Sequence, residues 1–179
     1  MPWTFYAVFL GTVGSIIGHS YIAISDHDSK NLKTLSEIAA TERQLLIRFR
    51  WVALTCSTLL AITIYWFIAP RNHYGLLQSL AWSLEYLGGI LMLVFPAKDK
   101  LLELHNICAQ AMAVGMLALA YLFLPVLHGD YFVLGLVSAL AMTLFGIATV
   151  LDKRHFIVHE MSFIFISHIT ICVAALALR

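Results

Sequence analysis

Charged side chains are scarce in this chain. Only 12% of its 179 residues are charged and 61% are hydrophobic, whereas about 25% of the residues of a typical soluble domain are charged. This composition excludes an ordinary soluble domain. The net charge of +1 also gives no electrostatic reason to expect nucleic acid as a partner.

Cysteine is also rare, and its positions exclude two kinds of scaffold. The three cysteines, Cys56, Cys108 and Cys172, lie within apolar stretches and form no close pair. A disulfide framework or a cysteine-based zinc motif is therefore not expected. The sequence also lacks a glycine-rich phosphate loop and a nucleophile elbow. No basic residues precede the first apolar run, so we expect that run to be a retained span and not a signal peptide.

Long apolar runs dominate what is present. A helix needs about 20 apolar residues to cross a bilayer, and six stretches of the chain meet this requirement. We predict a single all-α domain over 1–179, a polytopic transmembrane bundle of six helices. The predicted spans are about 3–24, 51–69, 74–96, 104–127, 131–151 and 156–178. Pro70 and Pro96 should end the second and third spans, and Gly129-Asp130 should form a turn between the fourth and fifth.

The basic residues are distributed unequally between the two sides of these spans. Nine of the eleven lie in the loops 25–50, 97–103 and 152–155, which an even number of spans puts on one side. By the positive-inside rule this side is cytoplasmic. We therefore predict a multi-pass integral membrane protein with both termini on the non-cytoplasmic side.

The 25–50 loop contains a helix-start signal. Thr34-Leu35-Ser36-Glu37 has the form of a capping box, which predicts a short interfacial helix leading into the second span. A solvated loop that obeys the charge rule is the alternative interpretation.

Polar residues near the cytoplasmic ends of three spans predict a common layer inside the membrane. Its members are His19, His105, Asn106, His159 and Glu160. Ionisable residues at membrane depth are usually functional. His168 lies nine residues after His159, on the opposite side of an ideal helix, and is predicted to lie outside this layer. Glu85 is separate, near the middle of the third span.

Three interpretations of this layer are open. His19, His105 and His159 could bind zinc, with Glu160 as a general base. The layer could instead bind a lipid headgroup or conduct protons. It could also hold the bundle together by interhelical hydrogen bonds. Haem is disfavoured because His19 and His105 have no suitably placed histidine partners.

Three short motifs along the chain resemble those of a known membrane protein family. They are Gly88-Gly89-Ile90 to Val94-Phe95-Pro96 followed by His105-Asn106-Ile107-Cys108-Ala109, the loop segment 35–42, and His159-Glu160. Together they resemble the Frag/DRAM/Sfk superfamily and its prokaryotic relatives. The chain departs from the family pattern at Thr41, where the family has proline before glutamate, and at Met161, where it has an aromatic residue.

The resemblance implies a six-helix membrane protein with a lipid-related role, such as remodelling of lipid-anchored proteins, autophagy modulation, lipid-kinase recruitment or lipid asymmetry. It highlights Glu37, His105 and Glu160. It also implies a non-cytoplasmic first loop, which conflicts with the charge distribution, and we base the predicted orientation on the charges.

Together these observations predict a polar pocket near the cytoplasmic leaflet that binds or organises membrane lipid, with His105, Asn106, Glu160, Glu85 and Glu37 as ligand-contacting residues. One alternative is a metal-dependent intramembrane lipid hydrolase, with His159 and Glu160 as candidate catalytic residues and zinc as its cofactor. Another is a non-catalytic scaffold or subunit that acts through a membrane protein partner. No reaction is assigned, and a non-enzymatic role is favoured.

Overall fold

Seven helices make up the part of the chain that the structure, a computed structural model, describes: residues 3–24, 34–95 and 101–179. These ranges contain no strand. The helices are α1 Trp3–Ile24, α2 Leu35–Ala39, α3 Arg43–Thr63, α4 Gly75–Val94, α5 Leu102–Phe123, α6 Gly129–Leu151 and α7 Phe156–Ala177. All except α2 are long and apolar enough to cross a membrane. The predicted all-α bundle of six spanning helices is confirmed.

The second span differs most from its predicted bounds. Its helical run extends over Arg43–Arg71 and so begins eight residues before the predicted start at 51. Hydropathy alone placed the start after the arginines, but arginine is a good helix former and can extend its side chain toward the interface. The run ends in a π-helical turn, Ile64–Ile68, and a 3₁₀ turn, Ala69–Arg71, which contains the predicted stop at Pro70. Pro96 lies outside the described residues.

Glycines allow two pairs of helices to approach closely. On α1, a Cβ at Gly18 would lie 2.5 Å from a methyl group of Val52 on α3. On α5, a Cβ at Gly115 would lie 2.6 Å from the backbone nitrogen of Glu85 on α4. Small residues at such contacts let helix backbones pack tightly where no hydrophobic effect drives association.

The chain turns between α5 and α6 immediately before the predicted Gly129-Asp130, which are the first two residues of α6. A 3₁₀ turn at Leu124–Val126 ends the fourth span, and α6 begins at Gly129. Gly129 has a φ of +56°, in the left-handed region that glycine adopts without a steric penalty. The chain therefore reverses direction within a few residues.

Candidate functional site

The short helix α2 is docked inside the bundle. Its start is the predicted capping box: the Glu37 backbone N–H donates to Thr34 Oγ1 over 3.1 Å, and the Thr34 N–H donates to Glu37 Oε2 over 2.7 Å. A short helix does form here, and it is mostly buried by the rest of the protein. Leu35, Ser36 and most of the helix are buried, because α2 packs against both α1 and α3.

Glu160 on α7 holds the first turn of α2. Its Oε2 accepts a hydrogen bond from the Leu35 backbone N–H over 2.9 Å. The first N–H groups of any helix lack partners within the helix, and a carboxylate near a helix N-terminus is electrostatically favourable. Glu160 therefore satisfies a donor of a buried residue that would otherwise lack a partner.

His105 holds α2 from the other side. Its Nδ1 lies 2.7 Å from the Phe95 carbonyl oxygen, and its Nε2 lies 2.9 Å from Ser36 Oγ. A carbonyl can only accept, so Nδ1 carries the proton. In the neutral imidazole, Nε2 then accepts the hydrogen bond that the Ser36 hydroxyl donates. Thr34 Oγ1 lies 2.9 Å from Ser36 Oγ. Because the Ser36 proton is donated to His105, the Thr34 hydroxyl donates its proton to Ser36.

A small cavity lies beside this docking site. It has a volume of about 50 Å³, enough for a few water molecules, since each needs roughly 10–15 Å³. Its polar wall includes Ser36, Glu160, Ser15, His19 and His168. His19 Nδ1 lies 2.9 Å from Ser15 Oγ, one turn earlier on α1.

The prediction that His168 lies outside the polar layer is wrong, because it lines the same cavity as His19. His168 does point away from His159, but the cavity face of α7 passes through Glu160, Ile164 and His168, which are spaced four residues apart. Buried His168 also has a ring nitrogen, Nδ1, without a hydrogen-bond partner within the described ranges.

The other predicted site residues are dispersed. Asn106 is exposed at the surface of α5. Glu85 is buried where α4 crosses α5, and its Oε2 has no hydrogen-bond partner among the described residues. Neither residue lines the cavity. Glu37 caps α2 and does not line the cavity.

The hypothetical zinc set of His19, His105 and His159 is not brought together. Within the described ranges, the one group of at least three His, Cys, Asp or Glu residues with ligand atoms within 4.8 Å of one another is Asp152, His155 and His159. His105 already uses both ring nitrogens in holding α2. His159 contacts Asp152 at the α6–α7 turn instead of facing the cavity.

Asp152 and His155 were missed at the sequence level, although a signal was present. His155 and His159 have the i, i+4 spacing that puts two side chains on one helix face. Asp152 Oδ2 lies 2.9 Å from His155 Nδ1 and 3.3 Å from His159 Nε2. Hydrogen bonds from His155 and then from His159 lower the pKa of Asp152 to about 2.

A second space was also missed, because no sequence pattern marks it. An open groove of about 550 Å³ runs between α3 and α4 on the outer face of the bundle. Its walls are Ile47, Arg50, Trp51, Leu54, Ile90, Leu93 and Val94. Leu54, Ile90 and Leu93 also line the small cavity, so one layer of side chains separates the two spaces.

Comparisons with known proteins give no match: no family model, no curated protein and no solved structure is significantly similar to the chain. The resemblance to the Frag/DRAM/Sfk superfamily therefore stays a prediction. The six apolar spans identify the chain as a multi-pass integral membrane protein.

Proposed function

We propose that this integral membrane protein binds an anionic phospholipid in the groove between α3 and α4. An acyl chain lies along the apolar walls of the groove, and the lipid phosphate contacts Arg50. The lipid belongs to the leaflet on the side with nine of the eleven basic residues, which the charge distribution predicts to be cytoplasmic.

The size and the walls of the groove suit such a ligand. Its volume of about 550 Å³ is within the range of about 300–1,000 Å³ that is usual for small-molecule sites. Six of its seven wall residues are apolar. A single charged group on an otherwise apolar surface matches the amphipathic character of a phospholipid.

The proposal rests on the buried guanidinium nitrogen of Arg50. Its Nε is buried and has no hydrogen-bond partner in the part of the chain that the structure describes. A buried guanidinium donor without a partner is costly, and phosphate oxygens match the planar donor geometry of arginine. The neighbouring Arg48, by contrast, is exposed and donates to the Tyr21 hydroxyl.

The polar cavity lies directly behind the groove and shares three wall residues with it. Leu54, Ile90 and Leu93 line both spaces, and α2, which Glu160 and His105 hold in place, supplies Leu35 and Ser36 to the wall of the cavity. Glu160 and His105, highlighted by the family resemblance, thus act as positioning residues in this proposal. The lipid-related roles that the resemblance implies concern the same class of ligand.

The test compares lipid retention in arginine variants of the purified full chain. Native mass spectrometry is carried out after exchange into nanodiscs of phosphatidylglycerol, phosphatidylcholine or an equal mixture. We expect wild-type protein to retain phosphatidylglycerol in preference to phosphatidylcholine. A hydrogen bond to a charged group contributes about 1.5–3 kcal/mol, so Arg50→Gln should weaken retention at least about tenfold.

Arg43→Gln is the matched control, because Arg43 is an exposed arginine at the start of the same helix. It should change retention less than about twofold, as expected for a screened surface charge. Equal losses in the two variants, or equal retention of both lipids by wild type, would overturn the proposal. A co-purifying protein that displaces lipid from the wild-type chain would favour the scaffold instead.

A further inference from the structure

We propose that the turn between α6 and α7 is a zinc site in which Asp152, His155 and His159 supply three ligands and the fourth coordination position stays open. This site is separate from the lipid groove and does not depend on the function proposed for that groove. It also differs from the zinc set that was one of three interpretations of the sequence, with which it shares only His159.

The spacing of the ligand atoms suits a tetrahedral ion. Zinc bonds of about 2.0–2.2 Å to nitrogen and oxygen put neighbouring ligand atoms roughly 3.3–3.5 Å apart. Asp152 Oδ2 lies 2.9 Å from His155 Nδ1 and 3.3 Å from His159 Nε2, and all three atoms are within 4.8 Å of one another. The two separations that involve Asp152 are therefore within a few tenths of an ångström of the tetrahedral spacing, and the two histidine atoms are close enough for one ion to reach both after a side-chain adjustment.

The backbone conformation of the α6–α7 turn brings the three ligand atoms close to one another. A 3₁₀ turn, Lys153–His155, leads directly into α7, so His155 and His159 are one helical turn apart. Asp152 caps this turn with its other oxygen, because Oδ1 accepts from the Arg154 N–H over 3.1 Å. That hydrogen bond orients the carboxylate and leaves Oδ2 facing both imidazoles, as the outer-shell contacts of metal ligands commonly do.

Two of the three proposed ligands are accessible to solvent, and the third, His159, is mostly buried. The side chains of Asp152 and His155 are 43% and 65% exposed, whereas that of His159 is only 16% exposed and lies beside the Phe145 ring at a centroid distance of 6.0 Å. An ion can therefore enter from the aqueous side.

The ligand types favour zinc over the common hard cations. Two imidazoles and one carboxylate suit a borderline metal such as Zn²⁺. Calcium and magnesium prefer sites made entirely of oxygen ligands. Three protein ligands with an open position resemble the arrangement of zinc sites that bind water or an anionic group.

The test is zinc titration of the tag-free full chain in detergent after removal of metal with a chelator. Isothermal titration calorimetry should show one Zn²⁺ per chain. His155→Ala should weaken binding by more than about 10–100-fold, because even the loss of an outer-shell partner costs that much. Asp152→Asn keeps a good helix-capping side chain but removes the anionic ligand, so it should also weaken binding. Co²⁺ in place of Zn²⁺ gives an absorption spectrum that reports tetrahedral geometry.

His128→Ala is the matched control, since His128 is an exposed histidine two residues from an aspartate, Asp130, at the α5–α6 turn. It should leave zinc affinity unchanged. The proposal is overturned if wild type binds no stoichiometric zinc, or if all three variants bind it equally, which would indicate surface binding only. Thermal unfolding without metal shows that each variant is folded, so a loss of binding is not mistaken for a loss of structure.

Discussion

The hydrogen bond between Ser36 and His105 should be an energetic link between α2 and the rest of the bundle. Both side chains are buried, at 6% and 4% exposure, and 2.9 Å separates Ser36 Oγ from His105 Nε2. Ser36→Ala leaves the imidazole acceptor without its donor. His105→Phe keeps a ring of similar size but removes the contacts to Ser36 and to the Phe95 carbonyl.

The expected magnitudes follow from these contacts. An unsatisfied buried acceptor costs about 1–3 kcal/mol, so each single substitution should lower the free energy of unfolding by that order. The double variant should lose less than the sum, because the shared hydrogen bond can be lost only once. Interhelical hydrogen bonds in membranes average about 0.6 kcal/mol and reach about 1.7 kcal/mol, so we expect a coupling free energy within that range.

The assay is a double-mutant cycle, with unfolding in mixed micelles followed by far-UV circular dichroism. The control cycle combines Ser36→Ala with Tyr65→Phe. Tyr65 lies in the π-helical turn that follows α3, and its hydroxyl is 2.7 Å from Ser83 Oγ. The two control substitutions share no partner and should be additive within about 0.3–0.5 kcal/mol. A Ser36–His105 coupling no larger than that of the control cycle would refute the docking geometry.

Two further predictions concern glycines, and both are checked by the same unfolding assay. Gly115→Ala should destabilise the protein by about 1–3 kcal/mol through overpacking, because the added Cβ would lie 2.6 Å from the Glu85 nitrogen and 2.7 Å from the Ala81 oxygen, both backbone atoms of the adjacent helix. Gly89→Ala is its control, because the new Cβ would lie 3.6 Å from the Met112 sulfur, an ordinary contact. The free energy of unfolding should be unchanged or rise by up to about 1 kcal/mol. Equal losses at Gly115 and Gly89 would contradict the close approach of α4 and α5. Gly129→Ala should cost about 1–2 kcal/mol, because φ at this position is +56° and an alanine is strained there; an unchanged unfolding free energy would show that the turn adopts another conformation.

The spans and the start of α2 could be predicted from the sequence because both are local properties. Apolar length specifies a spanning helix wherever its neighbours lie. The capping box from Thr34 to Glu37 satisfies its own backbone donors within four residues. Neither prediction needed knowledge of which helices touch.

The composition of the site could not be predicted, because it depends on how the helices are rotated. The helical phase of His168 was correct relative to His159, but only the packing shows that the cavity face contains Glu160 and not His159. The partner of His159 is Asp152, seven residues earlier. The partner of Glu160 is the backbone of residue 35, 125 positions away, and no periodicity connects residues that far apart.

The contact between Glu160 and the first turn of α2 also constrains how the protein is made. Chains are synthesised from the N-terminus, and early segments await their later partners. The segment that contains α2 is synthesised before five of the six spans, yet the carboxylate that contacts its first turn belongs to the last. During synthesis α2 therefore remains without this partner until α7 has entered the membrane. The contacts of α2 with α1, α3 and His105 can therefore form earlier than its contact with Glu160, which is the last to become available.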